Sequence, residues 1–150
     1  MRQSEVVYHT EVTAGGYIVI SAQGEKPVAI ARRVGPNIAI TIYDPLHKKA
    51  ALALAVSTAG LHRMFNEFPD YKNRNRIEEA LVVRLVGGND SDKSRQMVLK
   101  LIEDLNAIDN GRNIINIVSA DILDKPHPNS FQIDARDGRL AAVESELEHL

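Results

Sequence analysis

The chain contains no cysteine and no tryptophan among its 150 residues. The absence of cysteine excludes disulfide scaffolds, thiolate zinc sites, iron-sulfur clusters and every hydrolase that uses a cysteine nucleophile. A chain of this length buries roughly 70% of its unfolded surface, which suffices for a core of its own. We therefore predict one domain over residues 1–150, with an N-terminal extension at 1–16 and an acidic C-terminal tail at 144–150.

Excess positive charge and long apolar runs are also absent. The sequence has 18 Lys and Arg against 20 Asp and Glu, a net charge of -2. This balance provides no overall basic field for a phosphate backbone, so we expect no nucleic-acid partner. Residues 1–5 carry one charge of each sign, and no apolar stretch reaches the roughly 18 residues of a membrane span. We predict a soluble cytoplasmic protein without membrane insertion.

Patterns typical of metal and cofactor sites are missing as well. The histidines show neither i, i+4 pairing nor a carboxylate at ligand spacing, so we predict no metal site and no cofactor. The polar run after Gly87-Gly88 lacks the Lys-Ser or Lys-Thr pair of a phosphate-binding loop, and we interpret it as a helix cap. Pro126-His127-Pro128 is interpreted as an exposed connector. The five histidines are His9, His47, His62, His127 and His149.

Short apolar segments separated by turn residues dominate the first third of the chain and indicate an antiparallel meander. Asp137-Gly138 between two later apolar runs is a hairpin signal. The predicted strands cover residues 6–8, 17–20, 28–31, 38–43, 51–56, 81–86, 114–122, 131–133 and 140–143.

Helical spacing of apolar residues predicts two helices. The first covers about 58–68, begins after Ser57 and ends before Pro69. The second follows the polar run at 89–92, carries an apolar stripe from Met97 to Leu105, and ends at Asn110-Gly111. The connector at 70–76 contains Lys72, Arg74 and Arg76, and we interpret it as a solvated loop.

One block resembles a known family. The segment from Val28 to Pro45, continued by 51–56, resembles the signature of the CheD family, the chemoreceptor glutamine deamidases of bacterial chemotaxis. In that family an apolar strand leads through a catalytic Thr to a Leu-Gly-Ser-Cys block, then to a Tyr-Asp pair and an Ala-His strand. Looser similarity extends to Leu85-Val86-Gly87-Gly88, Arg95-Gln96 and Asp137-Gly138. The resemblance implies an α+β fold, a mostly antiparallel or mixed β-sheet sandwich with two main helices packed on the outside.

The catalytic residues of the family are absent at the matching positions. The nucleophilic Cys falls on Asn37, the general-base His on Leu54, and the Thr on Ala31. The family mechanism needs a thiolate, an imidazole and an orienting hydroxyl, and none of these three replacements can act in that way. We therefore expect no catalytic residues at these positions.

The replacements also have a structural interpretation. Gly35-Pro36-Asn37-Ile38 places Pro at i+1 and Asn at i+2 of a β-turn, which accounts for Asn37 by turn chemistry. If 37–43 and 50–56 pair as a hairpin, Leu54 lies on the same face as residues 37, 39, 41 and 43 and fills the space beside Asn37.

Three hypotheses of function follow. The first is a catalytically inactive CheD-like protein that binds a chemoreceptor cytoplasmic helix or a CheC-type phosphatase, partners implied by the resemblance. The second is an active deamidase of protein glutamine with relocated groups such as Thr58, His62 or Asp44. The third is an unrelated small interaction or assembly protein.

Overall fold

The structure, a computed structural model, describes residues 9–32, 34–74, 76–122 and 130–143. In this part of the chain, five strands precede the first α-helix, one strand separates the two α-helices, and three strands follow the second. The elements are β1 (His9–Val12), β2 (Tyr17–Ser21), β3 (Val28–Ala31), β4 (Ile38–Asp44), β5 (Lys49–Leu54), α1 (Thr58–Phe65), β6 (Leu81–Gly87), α2 (Asp92–Asp109), β7 (Ile115–Ile122), β8 (Phe131–Asp134) and β9 (Arg139–Ala142), with one-turn 3-10 helices at Tyr71–Asn73 and Ile77–Glu79.

The strands form two sheets. One has the order β1-β3-β8-β9 and the other β2-β5-β4-β6-β7. Two neighbouring pairs, β1 with β3 and β6 with β7, are parallel, and the others are antiparallel. The meander predicted for the first third is therefore wrong for β1, β2 and β3, because β2 pairs with β5 in the other sheet. The β4–β5 and β8–β9 hairpins are confirmed.

Three layers result from this topology. One apolar cluster lies between the two sheets and contains side chains of both, such as Ala31, Phe131 and Leu52. A second cluster joins the opposite face of the five-stranded sheet to both helices through residues such as Phe65 and Leu101. Successive residues of a strand point to opposite faces, so β4 and β5 supply both clusters. The predicted α+β sandwich with two helices on the outside is confirmed.

Both helices begin at serine caps. The Ser57 hydroxyl accepts from the backbone N–H of Gly60 at 3.0 Å, and the Ser91 hydroxyl accepts from that of Ser94 at 3.2 Å. These bonds satisfy N–H groups of the first turn that have no partner inside the helix. The predicted caps are thus confirmed, and α2 ends at Asn110 in the left-handed region, with φ 50.

Several predicted boundaries change. The helix predicted to extend to about residue 68 ends at Phe65, because Asn66 caps it and the chain then turns so that Phe68 enters the core. The segment assigned to an N-terminal extension contains β1, which pairs with β3. The predictions for residues 6–8, for His127 and for the 144–150 tail concern residues outside the described ranges. No helix in the described ranges combines the length and apolarity that a bilayer span requires.

Candidate functional site

The positions that match the family's catalytic residues lie at one end of the two sheets. Ala31 is the last residue of β3, Leu54 is the last residue of β5, and Asn37 immediately precedes β4. Ala31 and Leu54 belong to the same inter-sheet cluster, with exposed fractions of 0% and 3%. The fold therefore does bring this end of the strands together, but the buried side chains of Ala31 and Leu54 are apolar.

The register of β4 and β5 accounts for the burial of Leu54. Leu54 is paired with Ala39, and Thr41 and Tyr43 are paired with residues 52 and 50. Paired residues share a face, so the predicted common face of this hairpin is confirmed. Burying a leucine side chain stabilises the fold by roughly 1.5–3 kcal/mol. Leu54 thus serves as a core residue beside Ala39.

The turn that carries Asn37 is one residue earlier than predicted. The backbone N–H of Asn37 donates to the carbonyl of Val34 at 2.9 Å, so the turn runs from Val34 to Asn37. Gly35 occupies i+1 with φ 55, and Pro36 therefore lies at i+2. A positive φ at i+1 alone is the pattern of a type II′ turn, where glycine is favoured. The prediction with Pro36 at i+1 is wrong because Gly35 supplies the left-handed conformation.

This turn is held closely against the start of α2. The Ser94 hydroxyl donates to the Pro36 carbonyl at 2.7 Å, and the Gly88 N–H donates to the Gly35 carbonyl at 3.1 Å. A Cβ on Gly87 would lie 2.7 Å from the Asn37 carbonyl oxygen, so glycine is required for this approach. The interpretation of 87–92 as a capping segment is confirmed, and Asn37 has a fixed backbone.

A cleft of about 260 Å³ lies on the helix side of the same sheet, and we call it the α2 cleft. Its apolar wall comes from the β4 and β5 ends and from α2, and three polar side chains of α2 form its rim. Ala55 contributes to it with φ 53, a conformation that costs a non-glycine residue roughly 1–3 kcal/mol. The lining residues are Ile38, Ala55, Val56, Met97 and Leu101, with Lys93, Gln96 and Lys100.

The groups proposed for relocated chemistry do not meet. The Thr58 hydroxyl donates to Asp104 at 2.8 Å, and Asp44 is bound by Arg74 and His47. Within the described part of the chain, Thr58, His62 and Asp44 make no hydrogen bond to one another. Asp44 and Ile38 are at opposite ends of β4, ~20 Å apart, so Asp44 lies far from the end of the strand that follows Asn37. No shared nucleophile-and-base geometry exists among them.

Asp44 takes part in a buried ion pair instead. Both its carboxylate oxygens accept from Arg74, at 2.8 and 2.9 Å, and the two side chains are 0% and 4% exposed. Burial raises the pKa of Asp44, but the hydrogen bonds from Arg74 and His47 outweigh it and hold the pKa below its ordinary value of 3.8. The prediction of a solvated loop is wrong for Arg74, which also donates to the carbonyls of Pro69 and Glu79.

Comparison with known proteins finds sequence similarity to a rickettsial protein. The chain matches no family model. It is 40% identical over 72 residues to an uncharacterized protein of Rickettsia conorii, a match that covers 47% of this chain and 96% of the relative. The chain belongs to that protein's family. The name of that relative states no activity, so the function has to be argued from the site.

Two features of this protein could not be predicted from the sequence. The α2 cleft combines residues from β4, the end of β5 and α2, and its lysines read as an exposed helix face in the sequence. Arg74 lies among polar neighbours that carry no burial signal. The one available signal was Asp44, a carboxylate that follows directly on the apolar run 38–43 and whose strand position predicts burial with a partner. In the ranges that the structure describes, no three His, Asp or Glu side chains cluster as metal ligands.

Proposed function

We propose that this chain is a catalytically inactive CheD-like protein that binds a signalling protein in the cytoplasm. The observation that carries the proposal is the buried leucine at the position of the family's general base. Leu54 is 3% exposed within an apolar cluster that also contains Ala31. Covalent hydrolysis of an amide needs a nucleophile within hydrogen-bond reach of a base, and these positions supply neither.

The α2 cleft supports binding as the retained activity. Clefts with an apolar wall and a charged rim take an apolar anchor side chain of a partner, while the rim selects its neighbours by charge. Lys93 and Lys100 favour carboxylates at this rim. The Lys100 ammonium forms an ion pair with the Asp104 carboxylate at 3.6 Å, whereas Lys93 makes no ion pair within the described chain. An amphipathic helix with glutamates beside an apolar residue matches this chemistry.

The partners proposed for this surface are a chemoreceptor cytoplasmic helix or a CheC-type phosphatase. The test is retention of each on the immobilised full chain, followed by calorimetry for the one retained. Lys93→Glu is expected to weaken binding about tenfold or more, because a like charge then faces the carboxylates of the partner. Thermal unfolding should be unchanged, since the Lys93 side chain is exposed.

Lys26→Glu is the matched control. Lys26 is an exposed lysine before Pro27, where β3 follows, and its reversal changes the net charge by the same amount. Binding that is lost equally in both variants would indicate general charge attraction and contradict the assignment to the cleft. Retention of neither partner by the unmodified chain would remove the chemotaxis part of the proposal.

A further inference from the structure

A second concave site, distinct from the α2 cleft, lies where α1, the 3-10 helix at Tyr71–Asn73 and the end of α2 meet. It has a volume of about 240 Å³. Two apolar residues of α2 form part of its wall, and the remainder is polar. We call it the basic pocket, and its polar lining consists of His62, Tyr71, Lys72, Asn110 and Arg112.

The charge of the basic pocket has one sign. Lys72 and Arg112 are positive at neutral pH, and no described carboxylate lines the pocket. The neighbouring carboxylate, Asp109, is engaged elsewhere: it accepts from the backbone N–H groups of residues 113, 114 and 115 at 3.2, 2.7 and 3.0 Å. The pocket therefore offers hydrogen-bond donors and two cationic side chains, and no described carboxylate in its lining neutralises them.

Tyr71 is the buried member of the set. It is 5% exposed, and its ring packs on Phe65 with centroids 5.7 Å apart. Burial raises the pKa of Tyr71 above 10.0 in spite of the nearby Arg112 charge, so the hydroxyl is a donor at neutral pH.

Neutralisation of the negative end of the α2 dipole is the plainer explanation for these cations. The contacts of Arg112 argue against it. Its guanidinium donates to the carbonyl of Lys72, not to a carbonyl of the helix. The helix end is closed by the backbone, through Asn110 N–H to the Asn106 carbonyl at 2.8 Å. Arg112 thus ties the loop after α2 to the 3-10 helix and holds two sides of the basic pocket together.

We propose that the basic pocket binds a small phosphorylated ligand, either inorganic phosphate or a phosphate monoester. Two permanent cations balance the charge of a phosphate dianion. Donors on α1, on the 3-10 helix and after α2 approach from three sides, which suits a tetrahedral group with three free oxygens better than a planar carboxylate. The Tyr71 hydroxyl is one of these donors. This site is independent of the α2 cleft and of the proposed partner.

Calorimetric titration of the full chain at constant ionic strength tests the proposal. The probes are inorganic phosphate, ribose 5-phosphate and acetate. Saturable binding of one or both phosphate probes, much tighter than that of acetate, is expected. A tighter affinity for ribose 5-phosphate identifies a monoester as the ligand class, and an equal or weaker one identifies inorganic phosphate. Absence of saturable binding of both phosphate probes would overturn the proposal.

Variants assign the binding to the pocket. Lys72→Gln and Tyr71→Phe are each expected to weaken the affinity about tenfold, the effect of losing one hydrogen bond to a charged group. Tyr71→Phe keeps the ring against Phe65. The Lys72 ammonium lies 5.9 Å from the centre of the Tyr71 ring and makes no hydrogen bond to a described residue, so both variants should fold as the parent does by circular dichroism. Lys26→Gln is the control and should bind as the parent does. Equal losses in Lys26→Gln and Lys72→Gln would refute a built site.

Discussion

Leu54→His returns an imidazole to the position where the resemblance places the family's base, and the account predicts that the fold tolerates it poorly. Leu54 is 3% exposed within the apolar cluster between the two sheets. The replacement loses about 2 kcal/mol of apolar burial. It also buries an imidazole without a partner, which costs about 1–3 kcal/mol more. The free energy of unfolding should therefore fall by about 3–5 kcal/mol, a large part of the 5–15 kcal/mol typical of a domain.

The loss should also depend on pH. An imidazole in an apolar cluster favours its neutral form, so its pKa in the folded chain lies below the unfolded value of about 6.5. As the pH falls through that value, the unfolded chain binds a proton that the folded chain does not, and stability decreases further. Relative to the parent chain, Leu54→His should be less stable at about pH 5.5 than at about pH 8.

Urea unfolding followed by circular dichroism measures both effects. Leu54→Met is the control, because a swap of similar volume between apolar residues usually costs less than about 1.5 kcal/mol. The reasoning would be refuted by a Leu54→His variant as stable as Leu54→Met, with no added pH dependence. Such a result would mean that residue 54 faces an open polar site.

Other perturbations test the remaining structural arguments. Arg74→Met removes the buried cation that pairs with Asp44 and leaves His47 as the remaining side-chain partner, so urea unfolding at neutral pH should show a loss of about 3–5 kcal/mol. In the parent chain, the contribution of Asp44 is present above pH 3.8 and lost as the pH falls through its lower folded pKa. Arg74→Met removes the main cause of the lowered pKa, so the difference in stability between parent and variant should shrink as the pH falls through this acid range. Gly138→Ala should cost at least about 1 kcal/mol more than Gly111→Ala. Both glycines have positive φ, 77 and 72, but only at Gly138 would a Cβ lie 2.6 Å from the Tyr43 ring, and a smaller difference in thermal unfolding would contradict that close approach.

Much of the fold was predictable because local signals agree with it. The serine caps, the helical stripe from Met97 to Leu105 and the Asp137-Gly138 hairpin each depend on residues close in sequence, and the structure confirms them. The β4–β5 register was equally predictable, since alternation on the two strands specifies which residues share a face. These signals account for the elements and for the burial of Leu54.

Pairing between strands distant in sequence was harder to predict. The short strand β1 pairs in parallel with β3, although β2 lies between them in the sequence. Nothing in the four residues of β1 specifies that partner. The turn at Gly35 was displaced by one residue, because two overlapping tetrapeptides compete: 35–38 places Pro at i+1, and 34–37 places Gly at i+1 of a type II′ turn. Arg74 was missed because burial of an arginine depends on a carboxylate 30 positions away.

The proposed function excludes catalysis on glutamine, and mass spectrometry of a candidate substrate is the direct test of that proposal. Chemoreceptor cytoplasmic fragments are incubated with the full chain, with no protein, and with a CheD protein that has the catalytic cysteine. We expect glutamine deamidation only in the sample with the cysteine-containing protein. The level of deamidation with this chain should equal the level without added protein. Enzyme-dependent deamidation by this cysteine-free chain would contradict the account.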